Sequence, residues 1–150
     1  MPGATITITP VAGDIVAGAA SISATSLSTP LLKNTTGATL LKYAAVYEKT
    51  DGTIAYAVAS AEATSRVTGL LLLTLSDGTS GRATTNGHIT SYIKEADSPA
   101  TVKGDALYLS ATESGALTKA PPTGDGQVMV LVGRVSNEGF LVEIASPILL

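Results

Sequence analysis

His88 and the twelve aspartates and glutamates are the groups with which this chain could move protons or hold a metal. His88 sits in Thr85-Asn86-Gly87-His88-Ile89-Thr90, beside a tight turn, which predicts an exposed place at the start of a strand. It would have to serve as the base of any nucleophilic triad, and the residues around it outline no such site. Zinc of the usual kind takes several His or Cys ligands, whereas the chain has one histidine and no cysteine. The carboxylates are scattered, and no D-x-[DN]-x-[DN]-G calcium loop occurs. Asp51, Asp77 and Asp125 each precede a turn glycine, and turn formation accounts for them. Acids that hydrolyse glycosides converge across a cleft usually lined with aromatic rings, but this chain has five tyrosines and no tryptophan. Tyr43, Tyr47 and Tyr56 lie close in sequence and suit a core or interface better than a sugar platform. SDGTSG, Ser76–Gly81, has glycines but no phosphate-loop lysine and no following helical pattern. The glycosylation sequon Asn34-Thr35-Thr36 carries little weight without a secretion signal. The expectation is a protein with no catalytic residue, no cofactor and no metal.

The wider composition points the same way. The chain of 150 residues has the length of one domain, and such a domain can build a core without disulfides. Only 14% of residues are charged, against about 25% in ordinary soluble domains. Of the 45% that are hydrophobic, many are alanine, and Phe140 is the only phenylalanine. Few charges and many small side chains suit either a chain that hides surface against its own copies, or a regular β-domain with a Thr/Ser exterior. Net charge is −3 and no Lys/Arg cluster occurs, which argues against nucleic acid. Leu70–Leu73 is too short an apolar run to span a bilayer. The first basic residue is Lys33 and Asp14 interrupts the early apolar stretch, so no signal peptide is read. The expectation is a soluble product of a cytoplasm.

Residues 1–30 differ from the rest. ATITITP alternates with period two, placing Ile6 and Ile8 on one face, and the remainder is too poor in large side chains to form a core. We expect an extended N-terminal arm that adds a strand to a neighbour; a first strand on its own domain is the alternative. Residues 31–150 read as a single all-β, compact barrel-like domain. Turn signals at TDG, SDG, NG, ESG, GDG and NEG divide it into short apolar runs. Expected strands are 39–48, 53–59, 67–75, 81–85, 88–93, 106–110, 115–119, 127–136 and 139–146. In the first, Leu41, Tyr43, Ala45 and Tyr47 are expected on one face, and residues 59–65 form a loop or a short helical turn. QVMVLVGRV reads as a strand covered on both faces, turned by SNEG into FLVEIASP.

Two stretches share one layout, at about 37–69 and 104–133. Each begins at a glycine (Gly37, Gly104) and runs strand, turn ending in glycine (Gly52, Gly115), strand, loop, and an aliphatic-x-Gly strand at Val67–Gly69 or Leu131–Gly133. Two similar β-units sharing one core would produce this, and by itself it specifies architecture rather than function.

SRVTGLLLLTLSDGTSGRATTNGHIT, with Gly69, Gly78, Gly81 and Gly87 around apolar strands, resembles small virion proteins of tailed bacteriophages. GDALYLSATESGALTKAPPTGDGQVMVLVGRV is similar to the same proteins; the two lines lie within Ser65–Val135. The nearest kind is the capsid decoration, or cement, protein of β-tulip fold. The resemblance implies a homotrimer on the outside of an icosahedral shell, at three-fold or quasi-three-fold positions, that binds after expansion and clamps neighbouring major capsid proteins. It would be made in the host cytoplasm and end on the virion. On this reading Ile6 and Ile8 of the arm meet the capsid or a neighbouring decoration subunit. The apolar end Ile148, Leu149 and Leu150 is expected to be buried in the trimer or under its own domain. A tail, baseplate or head-fibre component, or a receptor- or glycan-binding β-module, is the alternative.

Overall fold

The computed structural model describes residues 31–150. The expected arm of residues 1–30, with Ile6 and Ile8, lies outside the described residues. The fold is nearly all β. Five strands close a barrel: β1 (Leu31–Asn34), β2 (Ala45–Glu48), β3 (Thr53–Tyr56), β4 (Val67–Leu71) and β5 (Ser80–Thr84), in the order β1-β3-β2-β4-β5. A second sheet joins β6 (Asn86–Ile89), β7 (Ala106–Leu109), β8 (Leu117–Thr118), β10 (Leu131–Ser136) and β11 (Gly139–Glu143), in the order β6-β11-β10-β7-β8. The short β9 (Val128–Met129) and β12 (Ile148–Leu149) pair as a ribbon. One helical turn, α1 (Glu62–Ser65), fills the 59–65 segment and is pinned by the Ser65 hydroxyl donating to the Glu62 carbonyl at 2.9 Å.

The pairing of the barrel recurs in the second sheet. β2 is flanked by β3 and β4, and β7 by β8 and β10, all antiparallel. Tyr47 faces Val67 and Val46 faces Gly69, which leaves Thr68 as an extra residue. Tyr108 faces Leu131 and Leu107 faces Gly133, which leaves Val132 extra at the corresponding place. An extra residue of this kind bends its strand and sharpens the twist. The turns agree as well, with Gly52 at φ +82° and Gly115 at φ +80°. β1 runs antiparallel to β5 and parallel to β3, closing the barrel. The chain from β6 onward does a similar job: β6 is antiparallel to β11, and Lys94 then makes a parallel bridge to Leu117 of β8.

Gly69 and Gly133 are the tight points of the two units. A Cβ on Gly69 would meet the Thr84 carbonyl oxygen at 2.7 Å, and one on Gly133 would collide with the Leu141 carbonyl oxygen and the Phe140 ring.

Two cores result. Leu32, Leu40, Val46, Ile54, Leu71, Leu75 and Ala83 fill the barrel. A larger core built around Leu107, Leu109, Leu117, Val132, Phe140 and Val142 of the second sheet also takes Ala45 and Leu70 from the outer face of the barrel. Successive residues of β2 and β4 therefore enter different cores, Ala45 and Leu70 one and Val46 and Leu71 the other. Each fully buried large aliphatic side chain contributes about 1.5–3 kcal/mol. The barrel wall stabilises both compartments at once.

Four expectations change. Asn86-Gly87, expected as a turn ahead of a strand at 88–93, lies inside β6, where Gly87 pairs with Val142 and Asn86 with Glu143. The run 39–48 is not one strand with Leu41, Tyr43, Ala45 and Tyr47 on one face. Tyr43 has φ +70°, which breaks the alternation; Leu41 is half exposed, while Ala44, Ala45 and Val46 are all buried. The Tyr43 amide donates to the Leu71 carbonyl at 2.7 Å, and its hydroxyl is 2.7 Å from that of Thr90, which holds the residue in this uncommon conformation. The expected single strand 127–136 divides at Val130, because β9 pairs with β12 while β10 pairs with β7 and β11. β1 was not expected at all: four residues after a proline offer too little alternation to read.

Gly133→Ala is expected to lower the stability of the fold by about 1–3 kcal/mol through overpacking against β11, read from urea unfolding. Gly78→Ala, at a glycine whose Cβ would meet nothing, should cost only the strain of its positive φ.

Candidate interaction site

His88 lies on an outward-facing row of the second sheet. It pairs with Leu141 of β11, which pairs in turn with Arg134 of β10. Neighbouring strands stand about 4.8 Å apart, so the three side chains sit abreast. Alongside β10 runs the turn before β7, carrying Lys103. Together with Val135 and Glu138 these residues line a hollow of about 470 Å³. Among the described residues no side-chain hydrogen bond or ion pair engages His88, Lys103, Arg134 or the Glu138 carboxylate.

The turn that carries Lys103 is clamped. The Gly104 amide donates to the Val135 carbonyl at 2.8 Å, and the Val135 amide donates to the Asp105 carbonyl at 2.9 Å. The Asp105 carboxylate accepts the Val102 amide at 2.8 Å and pairs with the Lys119 ammonium at 2.9 Å. The Val102 amide first, and then Lys119, hold the Asp105 carboxyl below the usual aspartate range.

Two apolar surfaces face outward elsewhere. Leu31 pairs with Arg82, and Leu72 donates its amide to the Arg82 carbonyl, so both leucines flank Arg82 on the outer face of the barrel. Leu41 and Leu73 adjoin them where 40–43 runs beside 71–75, and Leu73 is 62% exposed. The second surface is the β9–β12 ribbon. Ile148 and Leu149 pair through their backbones with Met129 and Val128, and the Leu150 amide donates to the Gln127 carbonyl at 2.9 Å. The side chains of Ile148, Leu149 and Leu150 remain 54%, 63% and 40% exposed. They are not buried under their own domain, because the ribbon uses their backbone and turns their side chains outward.

The other residues read from the sequence serve turns and packing. Asp51 accepts the Thr53 amide at 2.9 Å and its hydroxyl at 2.6 Å, and these bonds, the hydroxyl's foremost, lower its carboxyl below the usual range. Asp77 accepts the Gly37 amide at 2.8 Å. Among the described residues no three His, Cys, Asp or Glu side chains converge to hold a metal, and no helix is long and apolar enough to cross a membrane. The tyrosines are dispersed: the Tyr56 hydroxyl accepts the Leu41 amide at 2.9 Å, and the Tyr92 ring packs 5.1 Å from Phe140. Asn34 of the sequon is fully buried, donates to the carbonyls of Ala38 and Leu75 at 2.7 and 2.9 Å, and accepts the Thr36 amide and hydroxyl. It is a satisfied core amide that fastens the end of β1, and its side chain is closed to modification in the fold. The hollow could not be read beforehand. Lys103 and Arg134 are far apart in sequence, and only the β10–β11–β6 register brings Arg134 onto one row with His88, with Leu141 between them.

No protein-family model matches the chain, and no curated protein matches it.

Asp105 gives a pH prediction. Its folded value is depressed, so its contribution is present above the ordinary aspartate value of about 3.9 and is lost as pH falls through the folded value. Acidification through that window should lower the protection factors of the Val102 and Gly104 amides, taken against their intrinsic exchange rates at each pH. In Asp105→Asn both amides should exchange fast already at neutral pH, with no such acid step.

Proposed function

We propose that the chain is a virion structural protein of a tailed bacteriophage, a decoration protein that binds the outside of an icosahedral capsid as a homotrimer and clamps adjacent major capsid proteins. The reading combines the sequence resemblance with one structural observation: an apolar strand edge left in water. β12 presents Ile148 and Leu149 on a two-stranded ribbon. Exposed apolar edges of this kind are templates for pairing with another chain, and proteins that stay monomeric usually blunt them with charge, proline or cover. The leucine surface around Arg82 offers a second contact.

Such a protein works by mass action. A subunit that binds the expanded lattice and not its precursor stabilises the expanded state in proportion to occupancy. Several modest contacts per subunit, multiplied by three copies, give avidity without a strong single contact. In this reading the 1–30 arm adds to the clamp by strand addition, with Ile6 and Ile8 in alternate pockets.

The full chain should sediment as a trimer and co-sediment with expanded capsids. Leu149→Asp combined with Leu73→Asp should shift it towards monomer without lowering its thermal stability, because both side chains are already in water. Deleting residues 2–12 should weaken capsid binding while the 31–150 fold persists. A monomeric wild-type chain that ignores expanded capsids, or one that instead binds defined glycans on an array, would overturn the proposal.

A further inference from the structure

We propose that the hollow framed by His88, Lys103 and Arg134 binds a carboxylate carried on a short alkyl chain, namely an aspartate or glutamate side chain of the protein on which this chain docks. That the occupant belongs to a docking partner rests on the function proposed above; the chemistry of the hollow does not.

Three observations carry it. First, among the described residues Arg134 and Lys103 have no ion-pair partner, in a chain whose net charge is −3. Arg66 pairs with Glu62 at 2.8 Å and Lys119 with Asp105 at 2.9 Å; Lys33, Lys42, Lys49 and Lys94 form no ion pair among the described residues either, but none of them lines this hollow. Second, the geometry is preset. Arg134 and His88 flank Leu141 on paired strands, and the bonds between Gly104, Asp105 and Val135 hold the Lys103 turn alongside β10. A guanidinium presents a planar fork that matches the two oxygens of a carboxylate, while the ammonium adds a point charge and the imidazole another polar contact. Third, Leu141 lies between Arg134 and His88 on the same row, an apolar surface that suits the methylenes of an acidic side chain better than a compact, fully hydrated anion. Phosphate sites commonly use glycine amides, but the Gly104 amide is already spent on Val135. Glu138, on the rim, opposes an anion and pairs with neither cation, so two positive charges face one negative.

The test is an NMR titration of the full chain with N-acetylglutamate N-methylamide and, in a separate arm, inorganic phosphate. Saturable shifts are expected at His88, Leu141 and the Arg134 side chain, with the capped glutamate binding more tightly than phosphate. Arg134→Ala should weaken the glutamate probe about tenfold or more, the loss of a charge-assisted hydrogen bond. Arg134→Lys should retain part of the affinity. Glu138→Gln should tighten binding, which a purely structural role for these residues does not predict. Absence of saturable shifts, unchanged affinity in the Arg134→Ala/Lys103→Ala double variant, or tighter binding of phosphate overturns the proposal. Saturable glutamate binding by a chain that fails to co-sediment with capsids overturns the virion partner and leaves the hollow standing.

Discussion

The described structure turns on a seam where two pieces of backbone come into direct hydrogen-bonding contact. The Ala45 amide donates to the Gly115 carbonyl at 2.9 Å, and the Gly115 amide to the Ala57 carbonyl at 2.7 Å. The Ala59 amide donates to the Ser110 carbonyl at 2.8 Å, and the Val128 amide to the Ala59 carbonyl at 2.9 Å. Ala45, Ala57 and Ala59 are fully buried there. Buried backbone groups must find partners, and these find theirs across the boundary between barrel and second sheet. The contact demands small side chains: a Cβ on Gly115 would already meet the Tyr56 ring at 2.6 Å. Three of the alanines whose abundance suits self-association thus have an internal use.

With the outer face of the barrel committed to the second sheet, the two halves cannot be equivalent in what they expose, although their ladders match. Leu70 follows Gly69 and is fully buried against the second sheet. Arg134 follows Gly133 at the corresponding ladder position and stands exposed beside Leu141 and His88. The same backbone pattern thus makes a core wall in one half and one side of a cationic hollow in the other. Which of the two forms depends on whether another layer covers that face. The covering layer also decides where apolar surface remains: the leucines around Arg82 and the β9–β12 ribbon lie outside both cores.

Particular residues show how far the chain could be read before folding. The hairpin of β10 and β11 follows from dense β-branched residues around Asn137-Glu138-Gly139, and the glycine turns at Gly52 and Gly115 from their sequence punctuation. The aliphatic-x-Gly triplets marked the third strand of each unit, but not why glycine stands there. That reason is a carbonyl from the next strand, which no local pattern contains. Tyr43 misled because its alternation with neighbouring residues is genuine in sequence and is broken by a left-handed backbone that long-range bonds to Leu71 and Thr90 sustain. Asn34 matches a sequon to which the sequence gives little weight, and it is a buried amide, because β1 closes the barrel through pairings with β3 and β5.

The amino-acid order by itself determined the all-β class, the glycine turns at Gly52 and Gly115 and the two-fold repetition of strand, turn and strand, but not the place of Asn86-Gly87, which reads as a turn and lies inside β6. These depend on φ preferences and period-two patterning within a few residues. Tertiary structure alone decided which strand faces are double-sided, that Ala45 and Val46 enter different cores, and that His88, Lys103 and Arg134 share one hollow. Those outcomes depend on register and on which layer covers which face, and both are set by residues far apart in the chain.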